Sequence, residues 1–235
     1  MRYLRGVLAV MTCLAFPAWG AGQNLVVNGD FNGDITAWKI VRGAGVEVWD
    51  PLDSQNNPAS GSLHLTNIGV GPDAFTVSGQ CIVLTPSDTY EFGTNIRFPA
   101  GSVPGMASVV VGWFGNPCCA GTPLAAGNSP PVPSTTTDVW VESFTPALAA
   151  PPGTVAVGVG VGLLQGASPG AALDAANLRW PENPACPDSA PAPAASRVRP
   201  PAAGQRGAAL DALFDRVRFG LTGTTPVRLE SFSVQ

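Results

Sequence analysis

Charge is what this chain has least of. Only 12% of its 235 residues are Asp, Glu, Lys or Arg, about half the usual share of a globular protein. Lys39 is the one lysine and His64 the one histidine. The arginines form no cluster, and binding to nucleic acid rests on concentrated positive charge, so no nucleic-acid partner is expected. The surface must draw its polarity from Ser, Thr, Asn and Gly instead. A convincing amphipathic helix is also missing beyond the N-terminal leader. The 28 glycines and 24 prolines are spread throughout, and proline inside a helix removes a hydrogen bond and clashes with the preceding turn. Beyond the leader no apolar run approaches the about 20 residues that cross a bilayer, so no membrane span is expected.

The leader itself reads "MRYLRGVLAVMTCLAFPAWGAG". Arg2 and Arg5 precede an apolar stretch from Gly6 to Ala18, and small residues follow at Ala18, Gly20, Ala21 and Gly22. That is the layout of a cleavable secretory signal over residues 1–22, with cleavage near Gly20 to Gly22. A lipid-anchored start at Cys13 is disfavoured by Thr12 before it. A secreted or periplasmic product is expected. Loss of Arg2 and Arg5 takes the formal charge from −4 to −6. Residues 23–235 then suit one β domain of the larger sort. Four cysteines stay with it: Cys81, Cys118, Cys119 and Cys186. An even number in an exported chain indicates two disulfides, with three possible connectivities. Zinc is the weaker reading, because Cys118 and Cys119 are adjacent and His64 is the only histidine to join them.

What the chain has in quantity is short alternating runs. They include "VEVW" at Val46, "SLHL" at Ser62, "AFTVSGQCIVL" at Ala74, "TYEFGTNIRF" at Thr89 and "ASVVVGWF" at Ala107. "VWVESF" at Val139, "TVAVGVGVGL" at Thr154, "LFDRVRFG" at Leu213 and "VRLESFSV" at Val227 continue the series. Such runs, separated by turn residues, predict an all-β sandwich or barrel. In "TVAVGVGVGL" one face is valine and the other nearly bare. "NLVV" at Asn24 is expected to be a first strand, closed by an Asn28-Gly29 turn. Residues 181–206, "PENPACPDSAPAPAASRVRPPAAGQR", are expected to form an irregular excursion before the last strands. They lie between two similar phrases, "PGAALDAANLRW" at Pro169 and "RGAALDALFDRV" at Arg206. A local duplication or shared composition accounts for the likeness.

Several of these phrases, in this order, resemble the carbohydrate-binding, galactose-binding-like jelly rolls. "NLVVNGDFNGDITAW" is similar to the opening phrase of those modules. "ASGSLHLTN", "SGQCIVLTPSDTYEFG", "VWVESFTPALAAPPGTVAVGVGV" and "LFDRV" are similar to later ones. The resemblance covers most of Asn24 to Phe219 and implies a two-sheet jelly-roll β-sandwich. A narrower likeness, to stand-alone exported bacterial proteins of this type, rests on Gln80-Cys81 and on "WFGNPCCAG" from Trp113 to Gly121. It implies a Cys81–Cys119 disulfide and leaves Cys118 for Cys186. The family also implies a structural calcium ion, held by a residue after the early Phe and by an Asp of the closing strand. Those places fall on Asn32 and Asp215. An amide oxygen at Asn32 can stand in for the family's acid, and the plain alternative is that Asp30, Asn32 and Asp34 are turn formers.

Sugar binding calls for flat aromatic faces beside hydrogen-bonding groups. Trp38 and Trp140 fall at framework phrases and are expected in the core, as is Tyr90 with its hydroxyl on a partner. Trp180 borders the excursion, where an indole can cap an edge. Trp49, before the polar loop "DPLDSQNNPASG", and Trp113, at a strand end, are the candidate ligand-facing indoles, with Asp50 or Asn56 beside Trp49 for hydroxyls. No catalytic residues are expected: His64 reads as a polar strand residue alternating with Leu63 and Leu65, and no serine stands in a nucleophile-elbow phrase. Carboxylates that a glycosidase could pair, such as Asp50, Asp53, Asp73 and Glu142, have ordinary loop or strand places. The expected function is therefore a non-catalytic module for a glycan or cell-surface polysaccharide. The alternative is a structural or adhesive cell-surface protein without sugar binding, which leaves room for a protein partner.

Overall fold

The computed structural model describes residues 24–69, 74–85, 89–166, 180 and 209–222. The leader, the excursion at 181–206, Cys186, the run at Val227 and the first Ala-rich phrase up to Arg179 lie outside the described residues. Among the described residues there are eleven strands and no helix. They are β1 (Lys39–Gly43), β2 (Gly45–Asp50), β3 (Ser62–Asn67), β4 (Phe75–Val83), β5 (Thr89–Arg97) and β6 (Gly105–Phe114). β7 (Ala125–Asn128), β8 (Val132–Pro133), β9 (Val141–Ala149), β10 (Ala156–Gln165) and β11 (Leu210–Leu221) follow. Sheet 1 has the order β1-β4-β10-β6-β7, with β8 also on β6; sheet 2 has the order β2-β3-β11-β5-β9. All pairings between these strands are antiparallel. The fold is a two-sheet jelly-roll β-sandwich.

Alternation decides which side chains fill it. Val157, Val159, Val161 and Leu163 of β10 point inward with Val109, Val111 and Trp113 of β6. They meet Leu63 and Leu65 of β3, Phe92 and Ile96 of β5, and Phe214 and Phe219 of β11. A β-bulge between Asp215 and Arg218, with Arg216 at φ 51°, resets the register of β11. It keeps Phe214 and Phe219 on the same side of the sheet despite their odd spacing. At the β2 edge a polar tie joins the two sheets: Ser78 Oγ of β4 donates to Glu47 Oε2 of β2 at 2.5 Å. Burial pushes the Glu47 carboxyl above its ordinary range, against the pull of the Ser78 hydroxyl.

The opening segment departs from its expectation. Residues 24–27 join no sheet ladder. Leu25 donates its amide to Phe219 O at 2.8 Å, while Asn24 Oδ1 accepts the Phe219 amide and Val27 bonds the Gln80 side chain. A side chain has taken the partner that a strand would need. Asn28 and Phe31 then adopt positive φ, which breaks any extended run. Trp140 departs as well: it is half-buried rather than in the core, whereas Trp38 is buried with its indole N–H on Asn28 O. Tyr90 is buried and its hydroxyl donates to Thr85 O.

Candidate functional site

Trp49 sits on β2, which among the described residues is an edge strand with no neighbouring strand on one flank. Its indole N–H donates to Phe31 O at 2.8 Å. The ring lies against Gly61, where a Cβ would stand 2.8 Å from ring atoms Cε2 and Nε1 and 2.3 Å from Asp50 O. Only glycine fits there. About a third of Trp49 stays exposed (36%), so the indole is fixed in orientation yet open to solvent.

The loop after it is held from below. Asp53, buried, accepts the amides of Gln55 and Asn57 at 2.7 and 2.8 Å and also the Ser60 hydroxyl. Burial works against its charge, but these donors outweigh it and hold the carboxyl below its ordinary range. Ser54 clamps the loop to sheet 2: its amide donates to Asp215 Oδ2 at 2.9 Å, and its hydroxyl accepts Asn95 Nδ2 at 3.1 Å. Asp50 Oδ1 accepts the Leu52 amide, a turn contact. Asn56 is exposed at φ 57° on the loop tip. Trp49 and Asp50 thus lie on the β2 edge, whereas Asn56 tips a loop that Ser54 ties to β11 and β5, with Asp53 as the anchor that sequence reasoning left among ordinary loop residues.

Trp113 corrects the expectation placed on it. It is 1% exposed and packs against Tyr90 and Phe219 with ring centroids 5.4 and 5.7 Å away. It is a core residue and offers no face to a ligand. The reason is its strand, since β6 has β10 on one side and β7 on the other.

Asn32 and Asp215 each have hydrogen-bond partners within the protein. Asn32 is exposed and its amide donates to Asn28 Oδ1, inside a turn in which Asn28 also donates to Asp34. Asp215 is buried on the other flank of the loop, its two oxygens accepting the Ser54 and Arg216 amides. Burial raises its carboxyl above the ordinary range, and the nearby Asp53 charge adds to that. Among the described residues no group of three or more His, Cys, Asp and Glu side chains could hold a metal ion.

The Cys81–Cys119 disulfide is present, with its Cα atoms 5.9 Å apart. It ties a strand to a loop, since Cys81 is on β4 and Cys119 lies between β6 and β7. Cys118 is disulfide-bonded too, while its assigned partner Cys186 lies outside the described residues. The outer face of sheet 2 is a second polar surface that sequence reading passed over. His64 Nε2 stands 3.3 Å from Asp211 Oδ1, which also accepts Thr66 Oγ1. Arg97 bonds Asp138, and Arg218 bonds Glu142 beside the Phe144 ring. The signal was in the runs: Arg97, Asp211 and Arg218 occupy the outward places of alternating strands.

By sequence, no family model matches this chain and no curated protein does. By structure it is similar to the enzymatically active domain of tailspike protein 4 of bacteriophage CBA120, at a TM-score of 0.52 and 12% identity. That match covers 84% of this chain and about a fifth (21%) of the phage one. It is also similar to the C-terminal family 22 carbohydrate binding module of Clostridium thermocellum Xyn10B (TM-score 0.49, 14% identity, 84% of this chain and 94% of that one). A third is TmCBM61 in complex with β-1,4-galactotriose (TM-score 0.47, 13% identity, 85% and 99%). At these identities the likeness is one of architecture. What the chain shares with them is a two-sheet β-sandwich fold.

Proposed function

We propose that this protein is a non-catalytic, exported carbohydrate-binding module, with Trp49 as the stacking platform and Asp50 and Asn56 within its polar surround. The observation that carries the reading is the Trp49 indole, pinned through its N–H to Phe31 O yet about a third exposed. A ring whose orientation is already fixed loses little freedom when a sugar stacks on it. The names of two structural neighbours, a carbohydrate binding module and a module with a bound galactotriose, point the same way. Export fits the Cys81–Cys119 bridge, since disulfides persist in oxidising compartments. The groups that catalysis would call on are engaged. His64 engages Asp211, and the adjacent carboxylates Asp53 and Asp215 are buried with their oxygens taken by amides and a hydroxyl. A glycan array with the mature protein tests the reading, followed by calorimetry on any hit with wild type and Trp49→Ala. Binding that survives Trp49→Ala unchanged overturns the platform.

One observation favours the alternative, a surface protein that contacts other proteins. Val83 (50%), Leu124 (50%) and Val155 (36%) are exposed at one end of sheet 1. The Leu124 and Val155 amides bond Trp113 O and Phe114 O, which places both at that end. A blank array, together with cell-surface adhesion lost on replacing these three by serine, selects that reading.

A further inference from the structure

Four outward places near the middle of sheet 1, on three adjacent strands, are glycine. Gly79 of β4, Gly158 and Gly160 of β10 and Gly112 of β6 form a bare floor. Val77, Val110, Phe114, Met106 and Leu164 pack around it in a cluster separate from the sandwich core. Trp180 lies in this groove, 4% exposed. A Cβ on Gly158 would stand 2.1 Å from Trp180 Cδ2, one on Gly79 2.7 Å from Cζ3, one on Gly160 3.0 Å from Cζ3, and one on Gly112 3.2 Å from Nε1. The benzo ring therefore reaches over β4 and the nitrogen edge over β6. The floor has the outline of a flat bicyclic ring.

The fit is geometric and not chemical. The Trp180 indole N–H is buried and has no acceptor among the described residues. A buried donor without a partner carries a desolvation cost that an apolar ring of the same shape would not. A built groove with a mismatched occupant is a site that another ring can fill better.

We propose that this groove is a binding site for planar aromatic molecules lacking a hydrogen-bond donor, and that Trp180 is its built-in occupant. It is independent of the Trp49 edge. A ligand of this class takes the place of the indole and frees residue 180 from the face of sheet 1. In the intact chain the ligand competes with the indole already in the groove.

Trp180→Ala empties the groove, and the probes are benzofuran and indole, which differ in one ring atom. Both should raise the melting temperature of the variant, with benzofuran binding roughly 5-fold or more tightly than indole because it buries no unpaired donor. Wild type should need about tenfold more benzofuran for half-saturation than Trp180→Ala. Adding Gly158→Val should abolish binding of both probes. Should Trp180→Ala fail to fold, Trp180→Leu keeps an apolar plug too small for the groove and carries the same titration. Indole binding as well as benzofuran, no binding of either, or binding indifferent to Gly158→Val would each overturn the proposal.

Discussion

Trp49 and Trp113 stand in similar sequence settings and meet opposite fates. Each is the next-to-last residue of its strand, after "VEV" or "SVVVG", and a turn rich in polar or small residues follows. Trp49 is on β2 at the margin of sheet 2; Trp113 is on β6, flanked by β10 and β7. The difference was partly legible. Before Trp49, Val46 and Val48 alternate with Glu47. Before Trp113 come three valines without a polar break, and Phe114 follows at once. A run that is apolar at both parities is buried on both faces. Position at a strand end is therefore a weaker guide to exposure than the makeup of the strand behind it.

The largest effect expected from this contrast is on stability. Trp113→Ala should lose about 3–5 kcal/mol, because it opens a cavity against Tyr90 and Phe219. Trp49→Ala removes one hydrogen bond and a partly exposed ring, for about 1 kcal/mol. Chemical denaturation of both variants measures the gap, and equal losses would erase the distinction between edge and centre. Next comes the bridge beside Trp113. The Cys81–Cys119 pair closes a separation of 38 residues, for which the chain-entropy model gives about 4 kcal/mol. The Cys81→Ser/Cys119→Ser double variant should lose the greater part of that, read as a lowered denaturation midpoint.

The contrast reverses when binding is the readout. Trp49→Ala should weaken the affinity for any glycan hit by about 2 kcal/mol or more, as removal of an aromatic anchor does. Trp113→Phe, which keeps most of the core volume, should leave affinity within about twofold, since the ring faces no ligand. Loss of affinity in Trp113→Phe and not in Trp49→Ala would turn the site assignment around.

How much could be read from sequence depends on how local the cause is. The strands β2 to β6 and β9 to β11 follow from alternation, a property of a few adjacent residues. β1, β7 and β8 are short and carry no clear alternation, so they did not announce themselves. Residues 24–27 have the composition of a strand, but their partners are the side chains of Asn24 and Gln80 and the backbone of Phe219. No property of the segment itself states that. The bare face of β10 was visible as Val-Gly alternation, whereas the indole that fills it comes from a residue fifteen positions beyond the strand's end at Gln165. Asp53 is similar: its short-range contacts make it look like a turn former, and its burial comes from the loop folding onto Asp215.

The smallest expected effect concerns the β2 edge again, at Glu47. Its carboxyl is raised from the ordinary value of 4.5, chiefly by burial. A raised carboxyl means that the folded protein keeps this proton at pH values where the unfolded chain has released it. The Glu47 contribution to stability is therefore fullest below the unfolded value and is lost as pH rises through the folded one. Glu47→Gln keeps an oxygen that can accept the Ser78 hydroxyl and removes the charge. Asp53 and Asp215 also titrate, so the informative quantity is the difference between variant and wild type at each pH. At pH 4 the two should melt together, because both carry a neutral side chain. The variant should gain on wild type as pH rises to 7, by a few degrees at most. A variant that is less stable than wild type at pH 7 would mean that the Glu47 charge supports the tie between the sheets, and that the β2 edge is held by electrostatics rather than in spite of them.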